Sequence, residues 1–184
     1  MKNNASDFDI QRLGACRIPS PMPADQFVQD SENVLLDSDL RAIEKYLKAK
    51  KKPPSFEMAG PRDKIYFDPS KLKCGIVTCG GLCPGLNDVI RAIFMGLYHH
   101  YGVQTVFGFR FGYEGLAPKY GHAPLELTPQ VVEDIHQKGG TILGSSRGPQ
   151  DVEEMVDTLE RMNIGLLFTI GGDGTLRGAQ AIAE

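Results

Sequence analysis

Ile164-Gly165-Leu166-Leu167-Phe168-Thr169-Ile170-Gly171-Gly172-Asp173-Gly174-Thr175 is the stretch that decides the fold. It begins as an apolar run of strand length, 164–170, and passes directly into a glycine turn and a last helix. A continuous apolar run closed by glycines reads as a strand buried on both faces. The same order occurs upstream. Gly75-Ile76-Val77-Thr78 is a short buried strand, followed by Gly80-Gly81-Leu82-Cys83-Pro84-Gly85. A helix comes next, with Leu86, Val89, Ile90, Ile93, Phe94, Leu97, Tyr98 and Tyr101 at helical spacing. Between these units, 103–109 predicts a second strand and 129–137 a short helix stopped by Gly139-Gly140. Thr141-Ile142-Leu143 predicts a further strand, and 151–162 an amphipathic helix through Val152, Met155, Val156, Leu159 and Met162. Strands alternating with helices through short connections imply a parallel sheet covered by helices on both faces.

Residues 1–70 follow another pattern. They hold seven of the twelve prolines and one expected helix, from Asp37 or Ser38 to Lys50. Leu40, Ile43 and Leu47 share a face of that helix. Asp37 and Asp39 stand at its positive end, and Lys48, Lys50, Lys51 and Lys52 at its negative end before Pro53-Pro54. We read 1–70 as an extension or arm, packed on the following domain or on a partner subunit, and 71–184 as an α/β domain. At 184 residues, 41% hydrophobic and 23% charged, the chain has ordinary globular composition. A net charge of −3 argues against a nucleic-acid partner held by bulk positive potential. No signal-peptide run is present, and no stretch approaches the about 18 apolar residues of a membrane span. A cytoplasmic setting without a membrane partner is expected. Cys74, Cys79 and Cys83 crowd one segment and Cys16 stands apart, a poor layout for a disulfide framework or a zinc site.

Ligands of such sheets bind beyond the carboxyl ends of the strands, where three loops have suitable chemistry. Gly80 to Asn87 is neither a Walker A loop nor G-x-G-x-x-G, yet its glycines and the following helix start favour an anion. A purely structural turn is the alternative. In Gly171-Gly172-Asp173-Gly174-Thr175 the glycines let a phosphate chain lie against the backbone, and Asp173 offers a hard oxygen for Mg2+. Thr175 could cap the helix or donate to phosphate, and a plain Asp-Gly turn is the alternative. In Gly144-Ser145-Ser146-Arg147-Gly148-Pro149, the small neighbours of Arg147 leave its guanidinium free for bidentate contact with phosphate. A surface arginine is the alternative there. A glycine cradle, a Mg2+ carboxylate and a phosphate arginine together describe phosphoryl transfer.

The ordered motifs carry a resemblance. Thr78-Cys79-Gly80-Gly81-Leu82-Cys83-Pro84-Gly85-Leu86-Asn87, Gly112-Tyr113-Glu114-Gly115-Leu116, Gly139-Gly140-Thr141 with Gly144-Ser145-Ser146-Arg147, and Gly171-Gly172-Asp173-Gly174-Thr175 resemble the 6-phosphofructokinase family. Ala59-Gly60-Pro61-Arg62 with Lys64-Ile65-Tyr66-Phe67 resembles its longer ATP-dependent branch, which has an N-terminal extension. The resemblance covers about Gly60 to Glu184. It implies a Rossmann-like fold, here truncated, and transfer of the γ-phosphoryl group of MgATP to fructose 6-phosphate, a step of glycolysis. By resemblance, the Gly80 N–H lies against the nucleotide phosphates, Tyr113 near the adenosine, and Gly148 beside the nucleotide. Arg147 contacts the transferring phosphate. Gly172, Asp173, Gly174 and Thr175 hold the phosphates, with Asp173 on Mg2+. Gly174 stands where pyrophosphate-dependent branches place an aspartate, so glycine favours ATP.

One departure matters. The family's T-I-D-N-D segment, with the base that deprotonates the sugar hydroxyl, does not occur in this sequence. Losing such a base slows a reaction roughly 10²–10⁴-fold, so 1–184 alone is expected to supply the donor half of the site and to be inactive. A homo-oligomer, commonly a tetramer, is also implied. Arg91 matches a position that binds effector phosphates in some members, but Met95 stands one turn on, and effector regulation is not carried over. Two other readings are a non-catalytic nucleotide-binding or assembly module and, less close to the motifs, a lipid or NAD kinase with its own GGDGT loop.

Overall fold

The computed structural model describes residues 10–23 and 27–184. The chain forms two compact units, Met1–Tyr66 and Phe67–Glu184. In the first, β1 (Ile18–Pro19) pairs antiparallel with β4 (Lys64–Ile65), and β2 (Asn33–Leu35) with β3 (Ser55–Glu57). Between β2 and β3 lies α1 (Leu40–Lys48), shorter at both ends than the sequence predicts. Asp39 starts it, its carboxylate accepting from the N–H groups of Arg41 at 2.7 Å and Ala42 at 3.2 Å. Lys50 stops it, in the left-handed region at φ 53°.

The second unit contains β5 (Lys73–Thr78), β6 (Thr105–Phe109), β7 (Leu125–Leu127) and β8 (Leu166–Ile170) in one sheet of order β7-β6-β5-β8. β5 pairs parallel with both β6 and β8, with Ile76 opposite Gly108 and Phe168. Its residues 74–78 are buried, as a central strand covered on both faces requires. The helices are α2 (Leu86–Met95), α3 (Pro129–Val132), α4 (Val152–Arg161) and α5 (Asp173–Ala183). One apolar cluster gathers Ile76, Ile90, Phe94, Val106 and Leu143; a second holds Val77, Phe109, Tyr113, Met155 and Leu159.

The α/β class is as the sequence predicts, with four local differences, the first being that the helix predicted over 129–137 breaks into α3 and a 3-10 turn, Ile135–Gln137. β7 is antiparallel to β6, so the sheet is mixed. A three-residue strand between Pro124 and Pro129 is too short for alternation to reveal. The helix predicted through Tyr101 changes at Gly96 into a π turn, Gly96–His100. Thr141-Ile142-Leu143 is a turn rather than a strand. Its backbone groups are taken by other partners: Gly144 N–H donates to Thr141 O at 3.2 Å, Ile142 N–H to Asn87 Oδ1 at 2.8 Å, and Leu143 N–H to Thr141 Oγ1 at 3.1 Å. Leu143 fills the space over Gly108, where a Cβ would come within 2.3 Å of its side chain.

Candidate functional site

Because β5 and β8 are parallel, the loops that follow them leave from one edge, and the segment 144–149, which follows no strand, is bonded to them there. Hydrogen bonds between distant residues hold those loops together. Cys79 N–H donates to Ile170 O at 2.9 Å, joining the ends of β5 and β8. Thr78 Oγ1 donates to Gly144 O at 2.7 Å, and Ser145 Oγ to Gly80 O at 2.6 Å. Gly80 N–H donates to Ser146 O at 3.3 Å, with Gly80 at φ 82°. Asn87, only 2% exposed, donates to Lys138 O and accepts from Ile142 N–H, both at 2.8 Å. It fixes the start of α2 to the segment that leads to Arg147.

The loops frame a cavity of about 570 Å³, a volume ordinary for a small-molecule site. Gly80, Tyr113, Arg147, Gly148, Gly172, Gly174 and Thr175, all singled out from the sequence, line it. Asp173 does not; it is exposed at the first position of α5, between two glycines that do. The Arg147 guanidinium lies 4.0 Å from where a Cβ on Gly81 would stand, and Arg147 also borders a second cavity of about 380 Å³ with Thr141, Ser145 and Ser146. Along α5 the larger cavity runs from Gly172 to Ala181, about 14 Å at the helical rise.

The start of α5 is open. Gly172 is its N-cap and no side chain caps it, so the first-turn N–H groups and the positive end of the helix dipole face outward without a side-chain acceptor. Thr175 is not the cap. It is 4% exposed, packed where a Cβ on Gly171 would lie, with its hydroxyl against the Cys79 thiol. Tyr113 sits beneath the helix, 8% exposed, and its hydroxyl donates to Thr175 O at 2.7 Å. Burial, with the neighbouring Cys79, pushes the Tyr113 hydroxyl up to about 12. Burial likewise pushes the Cys79 thiol up to about 11, so at neutral pH neither group is ionised and Cys79 is no nucleophile.

Sequence reasoning missed several lining residues: Gln150, Val152, Met155, Arg177, Gly178 and Ala181. Their placement depends on α4 packing beside α5, which no local motif announces. Gln150 Oε1 is buried without a hydrogen-bond partner. Among the described residues, the only charged side chains in the lining are Arg147 and Arg177, so the cavity suits an anion with an apolar portion against Val152 and Met155. No group of three His, Cys, Asp or Glu side chains suited to a metal occurs among the described residues. A metal here would take one carboxylate, Asp173, and complete its shell with ligand oxygens and water, which is how Mg2+ binds beside phosphate.

A parallel-centred α/β sheet thus carries at one edge glycine loops, an uncapped helix start and two guanidinium groups, a setting that favours an anion. The sequence model of the family described as phosphofructokinase matches residues 73–184, and the chain belongs to that family. The ATP-dependent 6-phosphofructokinase of Amycolatopsis methanolica is 46% identical over 187 residues, which take in 97% of this chain and 40% of the relative. That of Borreliella burgdorferi is 46% identical over 188 residues, 100% of this chain and 42% of the relative. A solved phosphofructokinase of Saccharomyces cerevisiae is similar with a TM-score of 0.53 and 32% identity, covering 61% of this chain and 15% of that one. The chain therefore spans about two fifths of the length of these curated relatives. Among the described residues, no helix is long and apolar enough to cross a membrane.

Proposed function

We propose that this chain forms the donor half of an ATP-dependent 6-phosphofructokinase site, binding MgATP for transfer of its γ-phosphoryl group to fructose 6-phosphate. The observation that carries this reading is the convergence of three motif loops on one cavity whose charged side chains are arginines. The first-turn N–H groups of α5 hold phosphate oxygens. Arg147, at the wall shared by both cavities, neutralises charge on the transferring group. Asp173 is the carboxylate for Mg2+, which when bound draws charge from the phosphate oxygens. Val152, Met155 and the ring of Tyr113 offer an apolar bed for the nucleoside. Among the described residues, the lining contains no His, Asp or Glu, so this cavity orients the donor and gives no general base. A setting outside the membrane and assembly with further copies belong to the same reading.

Donor choice tests it. A Cβ at Gly174 meets nothing within 4 Å, so Gly174→Asp folds and brings a carboxylate to the mouth of the phosphate site. In calorimetry the wild-type chain is expected to bind MgATP, and Gly174→Asp to weaken that binding by about tenfold or more through repulsion and lost helix-end attraction. Unchanged MgATP affinity in the variant would sink the donor assignment. Nucleotide binding with no product from fructose 6-phosphate is the expected behaviour of residues 1–184 by themselves.

A further inference from the structure

Arg177 lines the donor cavity, yet nothing in the chemistry above uses it. Among the described residues, no hydrogen bond or ion pair engages its guanidinium. Asp173, four residues earlier, has the helical spacing for an ion pair and does not form one. Side chains on a helix lean toward its N-terminus and cover the turn before their own Cα. For Arg177 that turn is Asp173-Gly174, and Gly174 has no side chain to stand in the way. A side chain as long as arginine's spans that turn, so the guanidinium has the reach to meet a ligand held at the open helix start. A cation brought to the helix start gains nothing from the dipole by itself. An anion at the helix start would give it a partner.

We propose that Arg177 is a second phosphate-binding arginine, which clamps a polyphosphate between itself, Arg147 and the first turn of α5. This inference rests on the donor-site reading and gives Gly174 a second part in it. An aspartate at 174 would stand three residues from Arg177, at ion-pair spacing. It would draw the guanidinium to itself as well as repel the ligand.

The test is calorimetric titration of the chain with MgATP, tripolyphosphate and adenosine. The proteins are wild type, Arg177→Met, Arg177→Lys, Gly174→Asp and the double variant Gly174→Asp with Arg177→Met. Arg177→Met is expected to lose about 10- to 100-fold in affinity for ATP and tripolyphosphate, as for loss of a charge-assisted contact. Its adenosine affinity should stay within about twofold, and Arg177→Lys should recover part of the loss. In the Gly174→Asp background, removing Arg177 should change ATP affinity by less than about threefold, since the clamp is already disabled. The proposal is overturned if folded Arg177→Met binds ATP and tripolyphosphate within about twofold of wild type. It is equally overturned if adenosine affinity falls in parallel, which would mean a packing role. A wild-type chain that binds no polyphosphate would overturn the donor-site reading itself, and the clamp with it.

Discussion

Gly178→Ala sets two physical terms against each other, and the structure decides between them. Gly178 lies inside α5, where alanine is favoured over glycine by about 1 kcal/mol. A Cβ built there, however, would come within 2.5 Å of Tyr113 Cε2 and 3.0 Å of its Cζ. That is about 1 Å inside ordinary contact, so the ring or the helix must move. The ring cannot retreat easily: it is 8% exposed, and its hydroxyl is bonded to Thr175 O on the same helix. Overpacking of a fixed neighbour typically costs about 1–3 kcal/mol, and the pinned ring argues for the upper part of that range. The net effect expected is a loss of about 1–2 kcal/mol, read as a fall in Tm of about 3–8 °C. Pushing α5 away from Tyr113 also misplaces the helix start, so MgATP affinity should fall in the same variant. The decisive control is Gly178→Ala combined with Tyr113→Leu. With the ring gone the clash goes too, and the alanine should become stabilising relative to Tyr113→Leu alone. A higher Tm for Gly178→Ala in the presence of Tyr113 would refute the reasoning, because helix propensity would then outweigh the contact.

Two other expectations follow from buried groups. Asn87→Ala removes both bonds of a side chain that is 2% exposed and leaves Lys138 O and Ile142 N–H without it. A loss of about 2–4 kcal/mol in urea unfolding is expected, with faster amide exchange over 138–147 than over α2. A loss under about 0.5 kcal/mol would mean that the pair of bonds holds nothing. Stability should also fall in alkali. Burial raises Cys74 and Cys79 from 9.0 to about 11, and burial with the neighbouring Cys79 raises Tyr113 from 10.0 to about 12. The folded state thus keeps these protons longer than the unfolded state. Their stabilisation is complete below about pH 9 and is lost progressively as pH rises toward about 12. Urea midpoints measured from about pH 8 to 11 should decline through the upper part of that range, and a flat profile would contradict the burial of these groups.

The parts of the molecule that were legible in the sequence share a physical character. The strands 74–78 and 166–170 are apolar runs closed by glycines, and 152–161 is a strongly periodic helix with Asp151 as its cap, so each announces itself within a short local window. The loop residues Gly80 and Gly172 could be read together because parallel strands must deliver their following loops to one edge. Arg147, by contrast, follows a turn and is held there by the bonds of Thr78 and Gly80 to Gly144, Ser145 and Ser146. What escaped depends on contacts remote in the chain. Residues 141–143 have strand composition, but Asn87 and Thr78, far upstream, bond that segment and hold it as a turn. Thr175 suits a helix cap locally, yet it stands inside the helix with its hydroxyl turned against Cys79. Arg177 carries no motif at all; only the course of the cavity along α5 marks it.

The bonds that join the three loops bear on the thermodynamics of occupation. Thr78 to Gly144, Cys79 to Ile170, Ser145 to Gly80 and Asn87 to Ile142 are all made within the chain and none needs a ligand. Loops that are already tied give up little conformational entropy when an anion arrives, whereas freely moving loops of the same composition would have to be ordered at that moment. The frame is set during folding, so the attraction between host and guest goes into holding the guest rather than into assembling its host.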